Sequence, residues 1–438
     1  MPSIDTSTSL NPTNPCSHSL VSSIVRLLSQ VEESFRTNKF NIKAWRQHEL
    51  TPDNADSHAV DWIFAINAIN FSFWSDSNPC NVKWDGKTYH GFYSLCAAFK
   101  RAESVTFTCL NFQVRTSVAH VHQEAGYSIL LSLAHVVQAM IIMEGAPICD
   151  PQFYTSVSLE ELQHLLRPTY GGPMPLLPLR HQLLKESGSI LIQKYGGSFI
   201  NCIKECDHSA EKLVKLLVDN FPSYRDEAVY EGQKVSLYKR AQIVAADLWA
   251  CFEGQGLGRF DDIDTLTMFA DYRVPQVLNY YGVLEYSPEL RKMIQERSWA
   301  HLSSYVLKRV SSQKKLYLLV CSSREGRGQS LKVHGLDCWG DAPTILVQYV
   351  QNNHPNLRTL SIVSDIPMEN GSPMEVEIRG NTIWAVELIC QELKSRLSSS
   401  TDIVINPSIV DYYLWEHRIA KAKEMASVGF HKTRCIYY

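Results

Sequence analysis

Apolar residues recurring at helical spacing in several separate stretches, few strand-like runs, and helix ends punctuated by caps, prolines and glycines predict a mainly α protein with few short strands. The helices can be taken in chain order. Leu179 to Tyr195 is amphipathic and stops at Gly196-Gly197, a pair suited to the left-handed backbone that closes helices. Ser209 is placed to cap a helix carrying Leu213, Leu216, Leu217 and Phe221 on one face, with Pro222 just beyond. Leu237 to Glu253 reads as a helix closed by the glycine-rich Gly254-Gln255-Gly256-Leu257-Gly258. Thr382 to Leu397 is strongly patterned, and Asn406-Pro407 opens a last helix to about Ala426, with Asn as cap and Pro at the first helical position. The strand-like runs are Leu316 to Cys321 and Glu375 to Ile378.

The 438 residues, 45% hydrophobic and 20% charged, have the composition of an ordinary globular chain with ample core. Formal net charge is -3, with no long Lys/Arg run, whereas a protein gripping duplex DNA or tRNA carries a basic stripe against the phosphates. Polymeric nucleic acid is therefore disfavoured as a partner, while a single nucleotide is not. The twelve cysteines form no C-x-x-C pair. Cys202 and Cys206 could share a helical face, yet no second Cys/His pair follows at zinc spacing, so reduced core thiols are expected and no metal. Cys96, Cys251 and Cys390 lie in apolar helical patterns, as reduced buried sulfur in a cytoplasmic (or nuclear) protein would. His120-x-His122 has no partner at a fixed offset and reads as surface histidine. Residues 1–20 are polar, with no basic region followed by an apolar one, and read as a short disordered lead before a single domain, 21–438.

Two segments stand apart from their surroundings. The first, 104–143, contains the uncharged run Tyr127 to Met143, slightly short for a membrane span and interrupted by His135 and Gln138. The second, 298–363, mixes basic residues, an apolar run and a loose Ser/Gly/Arg stretch; both read as insertions.

Chemistry concentrates in few places. In Met268 to Pro275, Asp271 stands between Phe269 and Tyr272 at a helix entry. A carboxylate there can offset the positive charge that grows on a sugar as a glycosidic bond breaks, or activate water; it can equally be a plain helix N-cap. On the last helix Asp411, Tyr412, Trp415 and Glu416 fall within an arc of roughly 140°. Carboxylates beside rings suit a flat, donor-rich base, although a half-buried helix with its acids in water fits the same pattern. Lys239 at a helix start could meet a phosphate, and His48 could donate to a ligand, but either can be purely structural. Gly254-x-Gly256-x-Gly258 has the wrong spacing for a dinucleotide fingerprint.

Taken together, several ordered stretches resemble the queuosine salvage family, the queuosine 5'-phosphate N-glycosidases. They are Asp61-Trp62-Ile63-Phe64, Asn70 to Trp74, Gly86 to Tyr89, Gly196 to Phe199, Phe221 to Asp226, Tyr238 to Gln242, Phe269 to Pro275, Glu377 to Gly380, Asp411 to Trp415 and Arg434 to Tyr438. The resemblance implies hydrolysis of queuosine 5'-monophosphate to queuine and ribose 5-phosphate, without metal or redox cofactor, on a helical fold akin to the helix-hairpin-helix DNA glycosylases. By motif it implies Asp271 as catalytic carboxylate, Phe269 in the base pocket, His48, Asp411 and Tyr412 on queuine, and Lys239 at the phosphate. Glu416 falls where relatives usually have Asp, one methylene shorter. Excising 104–143 joins Arg101-Ala102-Glu103 to Glu144-Gly145-Ala146, as the family runs. A true membrane span there would put His48 and Asp271 on opposite sides of a bilayer, so a surface insertion or sequence absent from the mature message is expected instead. The competing readings are a DNA base-excision glycosylase, which calls for a basic groove, and a nucleotide-binding protein whose insertions have abolished turnover.

Overall fold

The computed structural model describes residues 15–37, 42–75, 78–104, 145–298, 306–312, 315–322, 330–334, 359–362, 368–397 and 404–438. It is mainly α. The run Tyr127 to Met143, His120 and His122 lie outside the described residues, and among those described no helix is long and apolar enough to cross a membrane.

The first helix, α1 (Pro15–Arg36), begins inside the stretch expected to be an irregular lead. After the short α2 (Lys43–Gln47), Asp56 caps α3 (Ser57–Ala68) by accepting from the Ala59 N–H at 3.1 Å. An antiparallel hairpin, β1 (Asn81–Trp84) and β2 (Lys87–His90), follows; its two-residue turn Asp85-Gly86 has φ of 44° and 77°, the left-handed pair that matches strand twist. Next comes α4 (Phe92–Glu103), and the Ala102 carbonyl accepts from the N–H groups of both Gly145 and Ala146 at 3.0 and 2.8 Å. The chain on either side of 105–144 is thus tied at one oxygen.

The next four helices are α5 (Pro151–Ser156), α6 (Leu159–Leu165), α7 (Leu177–Tyr195) and α8 (Phe199–Glu205), with α7 ending at Gly196 as expected. Ser209 caps α9 (Ala210–Asn220) through the Lys212 N–H at 3.1 Å. A second hairpin, β3 (Glu227–Tyr230) and β4 (Gln233–Ser236), leads into α10 (Lys239–Cys251), every residue of which is buried. The glycine-rich turn, the Asp271 loop, α11 (Val274–Tyr280) and α12 (Pro288–Ser298) follow. Strands β5 (Val306–Ser312), β6 (Lys315–Ser322), β7 (Ser330–His334) and β8 (Thr359–Ile362) make a separate sheet, antiparallel except for the parallel β7/β8 pair. The chain closes with α13 (Pro373–Arg396) and α14 (Pro407–Ala420), the latter capped by Asn406 through the Ile409 N–H at 3.0 Å.

The strand-like run Leu316 to Cys321 is within β6, but Glu375 to Ile378 is helical, in the first turns of α13. The alternation Glu-Val-Glu-Ile imitates a half-buried strand, yet Glu375 is itself fully buried, so the polar position belongs to the inward face. Its partner is Arg379, one turn on. Cys96, Cys202, Cys206, Cys251 and Cys390 are buried free thiols, Cys206 pointing its sulfur at the Cys202 carbonyl at 3.1 Å.

Three arginines with almost no exposure hold segments that lack regular structure. Arg180 donates to the Pro175, Ile69 and Phe71 carbonyls, and Arg240 to Asn67, Ala68 and Ser223, pinning the chain that leaves α3. Arg379 makes a two-pronged pair with Asp226 (2.9 and 2.5 Å), reaches Glu375 at 3.2 Å, and donates to the Ala270 carbonyl at 3.0 Å. Asp226 also accepts from the Lys239 N–H at 3.1 Å, so one ion pair fixes both the start of α10 and the loop that carries Asp271. Removing the guanidinium would leave two buried carboxylates uncompensated. Arg379→Met should cost about 3–5 kcal/mol of stability, measured by urea unfolding; a loss within about 0.5 kcal/mol would show that the pair is dispensable.

Candidate active site

A cavity of about 1170 Å³ opens between α2, α4, α10, the Asp271 loop and α14. Every residue singled out from sequence lies on its wall: His48, Lys239, Phe269, Asp271, Asp411, Tyr412 and Glu416. They come from segments as much as 368 positions apart in sequence, brought together by the packing of α3 against α10 and of α14 against α11 and α13.

The Asp271 carboxylate is oriented by its own backbone. Oδ1 accepts from the N–H groups of Arg273 at 2.7 Å and Val274 at 3.0 Å, at the entry to α11. The N-cap position of α11 is Arg273, so Asp271 is not the N-cap residue itself; it holds the turn into the helix from two positions earlier and borders the cavity. Asp411, 5% exposed, accepts from the Phe269 N–H at 3.1 Å. Burial, then the nearby Asp271 charge, push its carboxyl well above the usual range, and Lys239 only partly opposes them. Lys239 is itself drawn down by burial, with Asp271 and Asp411 the two charges that most favour its ionised form. The lysine thus stands as counter-charge to the two acids.

Aromatic groups form the rest of this end. Phe269 meets Tyr412 edge to face at 5.8 Å, and His48 stacks on Tyr93 at 4.3 Å and 6°. The Leu50 N–H donates to His48 Nδ1 at 3.2 Å, and burial lowers the imidazole's pKa, so the neutral ring carries its proton on Nε2 and is a donor there. The Tyr93 hydroxyl donates to Glu416, and Tyr93 lies 5.2 Å from Trp415.

Asp247 was not legible as a site residue. It sits on α10, lines the cavity, and its carboxylate takes three donors: Tyr412 Oη, Trp45 Nε1 at 2.9 Å and Asn67 Nδ2 at 2.8 Å. A lone acid inside Ala245-Ala246-Asp247-Leu248-Trp249 is the signal that could have found it, since a buried helix tolerates a carboxylate only where donors converge. Burial raises its pKa to about 6 despite those three bonds. A folded pKa above the unfolded value of about 3.9 means a contribution to stability that is complete below pH 4 and lost as pH rises through 6.

A trio of possible metal ligands, His58, Glu103 and Cys149, lies away from the cavity, and His58 Nε2 and Glu103 are occupied with each other at 2.8 Å.

Buried acids beside one lysine, set among flat rings in a concave site, have the make-up of a small-molecule pocket. The family model described as queuosine salvage protein matches residues 50–121, 105–304 and 341–438, and the chain belongs to that family. Curated relatives carry the name queuosine 5'-phosphate N-glycosylase/hydrolase. One from Bos taurus is 36% identical over 406 residues, covering 91% of this chain and 88% of its own. Another, from Mus musculus, is 34% identical over 404 residues, 91% and 88%. The bacterial relative from Sphaerobacter thermophilus is 26% identical over 411 residues, 94% and 91%.

The Asp247 network yields a pH test. Relative to wild type, Asp247→Asn should gain about 2–3 kcal/mol of stability between pH 4 and pH 7, on top of any constant offset, because it has no proton to lose there. Thermal unfolding across that range reads the difference; a pH-independent difference would remove Asp247 as a titrating group.

Proposed function

We propose that this chain hydrolyses the N-glycosidic bond of queuosine 5'-monophosphate, releasing queuine and ribose 5-phosphate. The observation that carries the proposal is the Asp271 carboxylate, pinned at one oxygen by two backbone N–H groups and set at the cavity wall beside Lys239 and Asp411. The names of the curated relatives supply the substrate class.

In this reading Asp411 accepts the paired N–H donors of the guanine-like edge, Phe269 and Tyr412 wall the base, and His48 donates from Nε2. Asp247 is a positioning residue that fixes the Tyr412 hydroxyl. Glu416, already accepting from Tyr93, presents its remaining oxygen to the substituent of the base. Once the base is fixed, the bond between its ring nitrogen and C1' lengthens, the electron pair leaves with the base, and positive charge grows on the ribose. Asp271 offsets that charge in the transition state more than in the ground state. Water then adds at C1', giving up one proton as the base nitrogen gains one. Lys239 keeps Asp271 and Asp411 from repelling each other as both ionise. The α10–glycine turn–Asp271 sequence is what supports the likeness to helix-hairpin-helix glycosylases.

Asn holds such a turn as well as Asp but carries no charge. Asp271→Asn should therefore stay within about 0.5 kcal/mol of wild-type stability while base release, followed by chromatography, falls at least about 10²–10³-fold. Retained turnover in Asp271→Asn would reduce the residue to a holder of the turn into α11.

Asp411 adds a second expectation. Its raised pKa favours the protonated form in the empty pocket, whereas the donor pair of the base requires the ionised form. Queuine binding should release up to about one proton, and affinity should rise with pH until Asp411 is ionised in the free protein. Calorimetry in two buffers of different ionisation enthalpy measures the release; none at any pH would contradict the assigned contact.

A further inference from the structure

Away from the cavity, three side chains with different donor atoms meet where α3, the end of α4 and the chain resuming at Gly145 come together. His58, Glu103 and Cys149 each bring one such atom within 4.8 Å of the other two, and none of the three lines the cavity. His58 Nε2 is 2.8 Å from Glu103 Oε1, and the Cys149 thiol donates to the same carboxylate. An N–H and an S–H proton thus bridge an imidazole nitrogen, a sulfur and a carboxylate oxygen, the donor set that suits zinc and not magnesium or calcium.

The backbone beneath each group is fixed independently. His58 is in the first turn of α3, whose start is held by the Asp56 carboxylate. Glu103 ends α4, and the neighbouring Ala102 carbonyl accepts from the Gly145 and Ala146 N–H groups. Cys149 follows in a turn closed by the Asp150 N–H on the Pro147 carbonyl at 2.8 Å, and Asp150 then caps α5. Cys149 is 4% exposed while the His58 side chain is 55% exposed. The sulfur therefore closes the inner side, and the solvent side stays open to an entering ion and a water.

A second observation points to a cation. Asp61, one turn after His58 on α3, has a buried carboxylate oxygen with no hydrogen-bond partner, and its charge acts on both His58 and Cys149. Lys100, one turn before Glu103, pairs with Asp53 instead. A buried acceptor left without a partner is costly unless positive charge answers it. An exposed His–Glu pair is worth little by itself and accounts for neither the thiol nor that oxygen.

We propose that His58, Glu103 and Cys149 bind one zinc-class divalent cation, a structural ion that clips α3 to the chain on both sides of residues 105–144, with water as the fourth ligand. On binding, the Cys149 thiol proton passes to solvent, the His58 ring keeps its proton on Nδ1, and no electron moves. Metal bonds of about 2.0–2.3 Å set donor atoms roughly 3.3–3.8 Å apart, so the His58–Glu103 contact opens by about half an ångström. The unfolded chain has no such site, so the ion stabilises the folded one. None of this depends on the hydrolase reading.

The test uses the full chain, stripped with a chelator, kept reduced and titrated with cobalt(II), whose bond to a thiolate gives a charge-transfer band in the near ultraviolet. Wild type should show a saturable band that zinc abolishes, and zinc should raise its unfolding temperature. Cys149→Ser should lose the band. His58→Ala, at an exposed position that does not endanger folding, should weaken cobalt binding about tenfold or more. Should Cys149→Ser fail to fold, His58→Ala and Glu103→Gln decide through affinity alone. No band in wild type overturns the proposal. So does a band of unchanged affinity in the variants, which would assign the ion to other thiols.

Discussion

The buried pair between Arg379 and Asp226 is the constraint from which the site's geometry follows. A helix start and an irregular loop have no reason of their own to adopt one relative position. Here the Asp226 carboxylate holds the first N–H of α10 and the Arg379 guanidinium, while the same guanidinium holds the carbonyl that precedes Asp271. The Tyr438 ring covers the guanidinium at 4.3 Å and its hydroxyl donates to Glu375 at 2.7 Å, so each buried charge has partners on all sides. Lys239 and Asp271 are thereby held in place chiefly by Arg379 and Asp226, which do not line the cavity.

Charge is concentrated on the wall of that cavity. Rings and carboxylates line it beside His48, Tyr93 and Tyr412, and Lys239 feels the charges of both Asp271 and Asp411. The net charge of -3 distributed over the whole chain hides this local concentration.

How much of this was legible in the sequence depended on whether the signal was local. Ser209 and Asn406 cap the helices expected of them because capping is decided by residues three apart. Glu375 to Ile378 misled for the opposite reason. Its buried glutamate is stabilised by Arg379 and Tyr438, and only the latter, 63 positions away in sequence, is beyond a local pattern. The two hairpins, each only four residues per strand, were too short to register as periodicity, although Asp85-Gly86 is a turn signal that could have revealed the first. Among the residues of the cavity wall, those in ordered motifs were singled out through resemblance, whereas Asp247 required knowing which faces meet.

The span of the cavity wall has a consequence for how the chain acquires it. Residues from Ile42 to Tyr438 contribute, and three of its acids, Asp247, Asp271 and Asp411, are separated by 24 and 140 positions. Helices form locally and fast, but this wall exists only after loops of well over a hundred residues have closed, which is slow and entropically opposed. Secondary structure and ligand capture are therefore decoupled in time during refolding. An intermediate with nearly all its helices would be blind to the ligand, and ligand present during folding would stabilise only the last-formed contacts.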